Sequence, residues 1–224
     1  MQLGPEIHAG ARIRARNDEL WLQRRLTAWN GLRLSPSLPA SDWREQLTSE
    51  LELLRLERQF VERERRGVAA TAAIVPRDPD AFVAWFERLL QDGPGQGDPL
   101  FPWLAGSAPL EAMRWFLQQE VAGEAGFDDL VALTQVKMPA IAKLELARNY
   151  WDEMGQGHES GMHGPMLARL AKVLGLRPDP QLIVSESLAL GNLMVAFATN
   201  RCFAYQSIGA LGVIELTAPG RAER

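Results

Sequence analysis

Asp42-Trp-Arg-Glu-Gln-Leu-Thr-Ser-Glu-Leu-Glu-Leu-Leu-Arg-Leu-Glu-Arg-Gln-Phe-Val-Glu-Arg-Glu-Arg-Arg66 contains neither glycine nor proline, and its apolar residues return every three or four positions. Trp43, Leu47, Leu51, Leu54 and Val61 fall on one stripe, while Glu and Arg crowd the other faces. A repeat of that period is the mark of an amphipathic helix, not of a strand. Ser41 is placed to cap its start and Gly67 to stop it.

The same pattern extends outward in both directions. Asp78-Pro79 supplies an N-cap and a first helical position for a helix carrying Phe82, Trp85, Phe86 and Leu89, which ends in the glycine-rich loop 92–97. Pro109 opens a helix through Met113, Phe116, Leu117, Glu120 and Glu124, closed by Gly126, and a short helix is expected over 128–136. Pro139 begins another, with Leu144, Ala147, Trp151 and Met154 expected on its inner stripe and a stop at Gly155-Gln-Gly157. Ser160 is the expected cap for a helix bearing His163, Met166, Leu167, Leu170 and Leu174. Two further helices, or one bent one, are expected over 181–205 and 207–216, stopped by Pro219-Gly220. Residues 1–40 form a poorly defined N-terminal segment with a helix expected from Asn17 to Gly31, and residues 41–224 a single helical-bundle domain. No segment sustains the alternation of a strand, so the fold class is all-α.

Composition narrows the function. The chain has 224 residues, 46% hydrophobic and 23% charged, which is too apolar for a disordered chain and too charged for a membrane bundle. A net charge of −4 argues against a protein held to nucleic acid by a basic face. The apolar region 182–216 is interrupted by Glu186, Arg201 and Glu215, and its uncharged runs fall short of the ~18–20 residues that span a bilayer. No membrane partner is expected. The N-terminus lacks a basic start followed by an apolar run, which makes the cytoplasm the expected location. With a single cysteine, Cys202, expected as inert packing in an apolar helix, there is no thiolate-rich metal site.

The remaining chemistry lies in carboxylates and in three histidines. His158-Glu-Ser-Gly-Met-His163 imitates the zinc-protease H-E-x-x-H, but the extra residue turns the two rings about 140° apart on a helix, so that reading fails. Glu120 and Glu124 share a helical face with Met113, Leu117 and Phe127; Glu153 follows Leu146 and Tyr150; Glu215 follows Ile208 and Leu211; His163 sits four residues before Leu167. These positions point inward. A buried carboxylate needs a cation, which is either an arginine such as Arg114, Arg148 or Arg201 or a metal ion. Helical bundles build carboxylate-rich iron sites from such groups, although the Glu-x-x-His pairs of ferritin-like sites are absent here.

In Phe116-Leu-Gln-Gln-Glu-Val-Ala-Gly-Glu-Ala-Gly-Phe-Asp-Asp-Leu130, Glu145-Leu-Ala-Arg-Asn-Tyr-Trp-Asp-Glu-Met-Gly-Gln-Gly157 followed by His163, Leu188-Ala-Leu-Gly-Asn-Leu193, and Leu211-Gly-Val-Ile-Glu-Leu-Thr-Ala-Pro219, the chain resembles the iron-containing redox enzymes of the haem-oxygenase-like superfamily. Relatives of that family include thiaminase II and the pyrroloquinoline quinone synthase. The resemblance covers about residues 110–221 and implies a haem-oxygenase-like helical bundle. It implies ferrous iron, in di-iron form, as cofactor, with O₂ and a small organic molecule as substrates. Glu153, His163 and Glu215 match the family's iron ligands; Glu124 or Glu120 matches the earlier Glu of members that oxygenate nitrogen; Tyr150, Trp151 and Asn192 are expected to line the substrate cavity. The family's third ligand helix, with H-x-x-x-D-x-x-H spacing, has no counterpart before Arg224. The expectation is therefore a C-terminally incomplete bundle with weak or no turnover, either a shortened form of such an enzyme or a degenerate member that keeps the scaffold. The competing expectation is a metal-free helical interaction module, in which an exposed 182–216 region favours a homodimer or docking to a partner.

Overall fold

The computed structural model describes residues 5–39, 41–124 and 126–218. Its α-helices are α1 (Pro5–Leu34), α2 (Trp43–Gly67), α3 (Ala69–Ala73), α4 (Pro79–Asp92), α5 (Leu100–Gly106), α6 (Leu110–Gly123), α7 (Phe127–Thr134), α8 (Ala140–Glu153), α9 (His163–Val173), α10 (Ser185–Thr199) and α11 (Ala204–Thr217). No strand occurs among the described residues, and the fold is all-α as expected. No helix among them is long and apolar enough to cross a membrane.

The bundle assembles on α10, the most thoroughly buried helix, because its residues are apolar or small on every side. One cluster joins Met194, Val195 and Ala198 of α10 to Phe127, Leu130 and Val131 of α7 and Leu211 of α11. A second joins Ala196 of α10 to Leu26 and Trp29 of α1 and to Phe60 and Val61 of α2. Fully burying a side chain such as Leu188 or Val195 stabilises the fold by about 1.5–3 kcal/mol, so α10 is its energetic centre. The helix expected over 17–31 proves longer, running from Pro5 to Leu34 along α10.

Local signals hold at several termini. Asp78 caps α4 as expected, its Oδ1 accepting from the Ala81 amide at 3.0 Å, with Pro79 at the first position. The break between α10 and α11 falls at Asn200, whose backbone is extended and whose Nδ2 donates to Ala196 O and Glu57 Oε1 at 2.9 Å each. Glu57 is almost fully buried and also accepts from Arg33, whose guanidinium lies 3.8 Å from the Trp29 ring centroid. The Pro219-Gly220 stop lies outside the described residues.

Several expected faces turn out reversed. On α2, Trp43, Leu47, Leu51 and Leu54 are exposed and only Val61 of the expected stripe is buried, because α1 and α10 meet the neighbouring stripe of Leu53, Leu56 and Phe60. On α8, Leu144, Ala147 and Trp151 face outward while Leu146 and Tyr150 pack on the core. Ser160 does not cap α9, which starts at His163 after an extended Met162. Cys202 is exposed on a 3-10 turn, where Arg58 Nη1 donates to its Sγ at 3.2 Å. The expected open face at 182–216 is instead covered over most of α10 by α1, α6 and α7.

Candidate metal centre

Glu153 ends α8 and His163 starts α9, ten positions later, and the chain between them folds back on itself. Met154 and Met162 pair as an isolated antiparallel bridge. The closure depends on glycine: Gly155 has φ +59°, and a Cβ there would stand 2.4 Å from the Gly161 carbonyl carbon. No other residue permits that left-handed, touching approach of two backbones. Gly155-Gln-Gly157, which reads as simple helix punctuation, is thus half of a clasp that sets Glu153 opposite His163.

The third side chain arrives from the end of α6. His163 Nε2 lies 2.8 Å from Glu124 Oε1, and His163 Nδ1 lies 3.1 Å from Glu153 Oε2. The imidazole therefore stands between two carboxylates. Its contact with Glu124, and then its contact with Glu153, hold the ring's pKa up at about 10 against the opposing effect of burial. An imidazolium flanked in this way carries a proton on each nitrogen at neutral pH and its charge offsets the two carboxylates. Phe127, at the start of α7, stacks its ring on His163 with centroids 6.2 Å apart. Glu153 Oε2 is buried and receives no hydrogen bond, its approach to Nδ1 being an ion-pair contact.

The other expected residues lie around this triad. Glu215 is exposed and is not drawn into it; its Oε1 accepts from Asn149 Nδ2 at 3.1 Å, one turn before Glu153 on α8. Glu120 is exposed one turn before Glu124. Tyr150 packs against the α7–α10 cluster, and Trp151, 55% exposed, covers the backbone of Gly157. Asn192 is buried in a polar network: its Nδ2 donates to Gln23 O and Oε1, and its Oδ1 accepts from Asn30 Nδ2 and Thr27 Oγ1. Sequence reasoning missed Asn149 and Phe127. Asn149 was detectable as a polar residue one turn from Glu153 on the face of Leu146, whereas Phe127 reads as ordinary core.

The family model described as iron-containing redox enzyme matches residues 114–224. The chain belongs to the iron-containing redox enzyme family through those residues. No curated protein and no solved structure matches the chain. The matched half of this iron-containing redox enzyme family member holds all five expected ligands and the clasp between α8 and α9.

Whether the residues fit iron is decided by the triad itself. Among the described residues no three His, Cys, Asp or Glu side chains are arranged to hold a metal ion, since each imidazole nitrogen faces a carboxylate and the donors do not converge. The donor chemistry nevertheless suits ferrous iron, which takes carboxylate oxygen and imidazole nitrogen. Glu153 Oε2 is a buried acceptor without a donor, and two neighbouring carboxylates require a cation between them. That cation is a proton on His163 in this arrangement. The side chains match iron in donor type, while in this arrangement the charge between the carboxylates is the His163 proton.

Proposed function

We propose that the chain is a non-haem iron-dependent oxidoreductase in which Glu124, Glu153 and His163 hold the iron, acting with O₂ on a small organic substrate. The observation that carries this reading is the meeting of two carboxylates and one imidazole from α6, α8 and α9 at a buried acceptor with no donor of its own. Bound iron would supply one-electron chemistry with O₂. The chain's own residues set the conditions for it: Glu124 and Glu153 supply negative charge that favours a divalent cation, and Phe127 limits the His163 ring to its stacked orientation. The Asn149–Glu215 hydrogen bond holds a further carboxylate on the same helix, one turn away. A di-iron form would draw its additional oxygen ligands from Glu215 and Glu120.

Anaerobic ferrous-iron titration tests the reading. Because His163 is an imidazolium with a proton on each nitrogen and a ligating imidazole must give up one of the two, iron uptake at neutral pH is expected to release one proton, readable with a pH indicator in weakly buffered solution. Glu153→Ala and His163→Ala are expected to lose both iron retention and proton release while keeping helical content. If the unaltered protein retains no iron, or if both variants retain it unchanged, the triad is a structural ion pair and the metal-free interaction module is the correct reading.

A further inference from the structure

A concavity of about 340 Å³ lies over α10, walled by α1 on one side and by the end of α6 and the start of α7 on the other. None of Glu124, Glu153 or His163 lines it. Its floor includes Leu188, Asn192 and Val195, and its polar rim includes Thr27, Asn30 and Asp129.

The hydrogen bonds around it run in one direction. Because Asn192 Nδ2 donates to both Gln23 O at 2.9 Å and Gln23 Oε1 at 2.8 Å, its Oδ1 must be an acceptor, and it takes Asn30 Nδ2 at 2.9 Å and the Thr27 hydroxyl at 3.2 Å. That leaves Asn30 Oδ1 as the end of the chain, buried and without a donor. Ser35, also on the rim, donates its hydroxyl to Gly31 O at 2.6 Å. Each side-chain donor atom lining the cavity thus has a partner, Asn30 Nδ2 alone keeping a second N–H. Asp129 is the other uncommitted acceptor: no cation or hydrogen-bond donor among the described residues pairs with it. Burial, and then the charge of Asp128, push its carboxyl up, so its negative charge is under-stabilised as the chain stands. An unmet buried acceptor and an unpaired carboxylate, against one spare N–H, define what the occupant must bring.

We propose that this cavity binds a small primary ammonium compound with a short apolar tail, its N–H groups directed to Asn30 and Asp129 and its tail lying on Leu188 and Val195. An alcohol supplies one donor and no charge, a carboxylate supplies no donor and is repelled by Asp129, and a quaternary ammonium supplies charge but no N–H. Of these four classes the protonated amine alone meets both acceptors. The volume is at the small end of ligand pockets, which limits the tail to a short chain or one ring.

Isothermal calorimetry with n-hexylammonium, n-hexanol and n-hexanoate on the whole chain tests this without any need for iron. The ammonium compound is expected to bind at least tenfold more tightly than the alcohol, and the carboxylate not to bind. Asp129→Asn, at an exposed position, is expected to remove that tenfold preference. Gly31→Leu is expected to abolish binding by filling the cavity, and the fold tolerates it because a Cβ at Gly31 meets no heavy atom within 4 Å. Equal affinity for alcohol and ammonium, an Asp129→Asn variant that binds as before, or no binding by the unaltered chain would each overturn the proposal.

Discussion

Titration of His163 is the most direct probe of the geometry at the clasp. The ring's pKa is raised from 6.5 to about 10, with Glu124 as the larger cause and Glu153 as the second. A histidine whose folded pKa lies above its unfolded value adds stability that is complete below pH 6.5 and is lost as pH rises from there through about 10. The ring is 39% exposed, so solvent screening holds the gain to about 1–2 kcal/mol, well short of what a fully buried pair would show. Two measurements follow. Carbon-detected NMR of the imidazole, assigned through His163→Gln, should show a midpoint near 10 in the unaltered chain, a large fall in Glu124→Gln and a smaller one in Glu153→Gln. Urea denaturation at pH 6 and pH 10 should show the unaltered chain losing about 1–2 kcal/mol relative to His163→Gln, the only variant in which the linkage is absent. A His163 midpoint near 6.5, or a midpoint unmoved by Glu124→Gln, would refute the argument that two carboxylates hold the proton.

Other consequences concern the scaffold. Glu57→Ala leaves the Arg33 guanidinium buried without its carboxylate and should destabilise the chain by about 3–5 kcal/mol in urea, whereas replacing both residues with apolar ones of similar volume should cost much less. Gly155→Ala forces a Cβ into the Gly161 backbone at a left-handed φ, so the His163 midpoint should fall toward 6.5 and stability should drop by more than ~1 kcal/mol. Asp78→Ala removes the α4 cap and should cost about 1 kcal/mol in thermal or urea denaturation with no change at His163.

Much of this protein is written in local chemistry. The helical period, the Asp78-Pro79 start of α4, the glycines and prolines between helices and the all-α class follow from interactions within a few residues of each position. The direction each helix faces does not. On α2 and α8 apolar residues occupy two stripes, and local period cannot choose between them; the choice falls to whichever stripe α1, α7 and α10 can cover. The site divides in the same way. Spacing placed Glu120, Glu124, Glu153, His163 and Glu215 inward, and the resemblance named Glu153, His163 and Glu215 with Glu124 or Glu120 as ligands; Glu120 and Glu215 are exposed, and Glu124, Glu153 and His163 meet. Their meeting depends on two glycines whose backbones touch across the clasp, and the exposure of Glu215 depends on how α11 rotates against α8. Local sequence set which donors the chain possesses and, at ends such as the Asp78-Pro79 start of α4, where a helix begins. Only tertiary structure decided which donors share a space, because convergence is set by packing between segments that have no local interaction to align them.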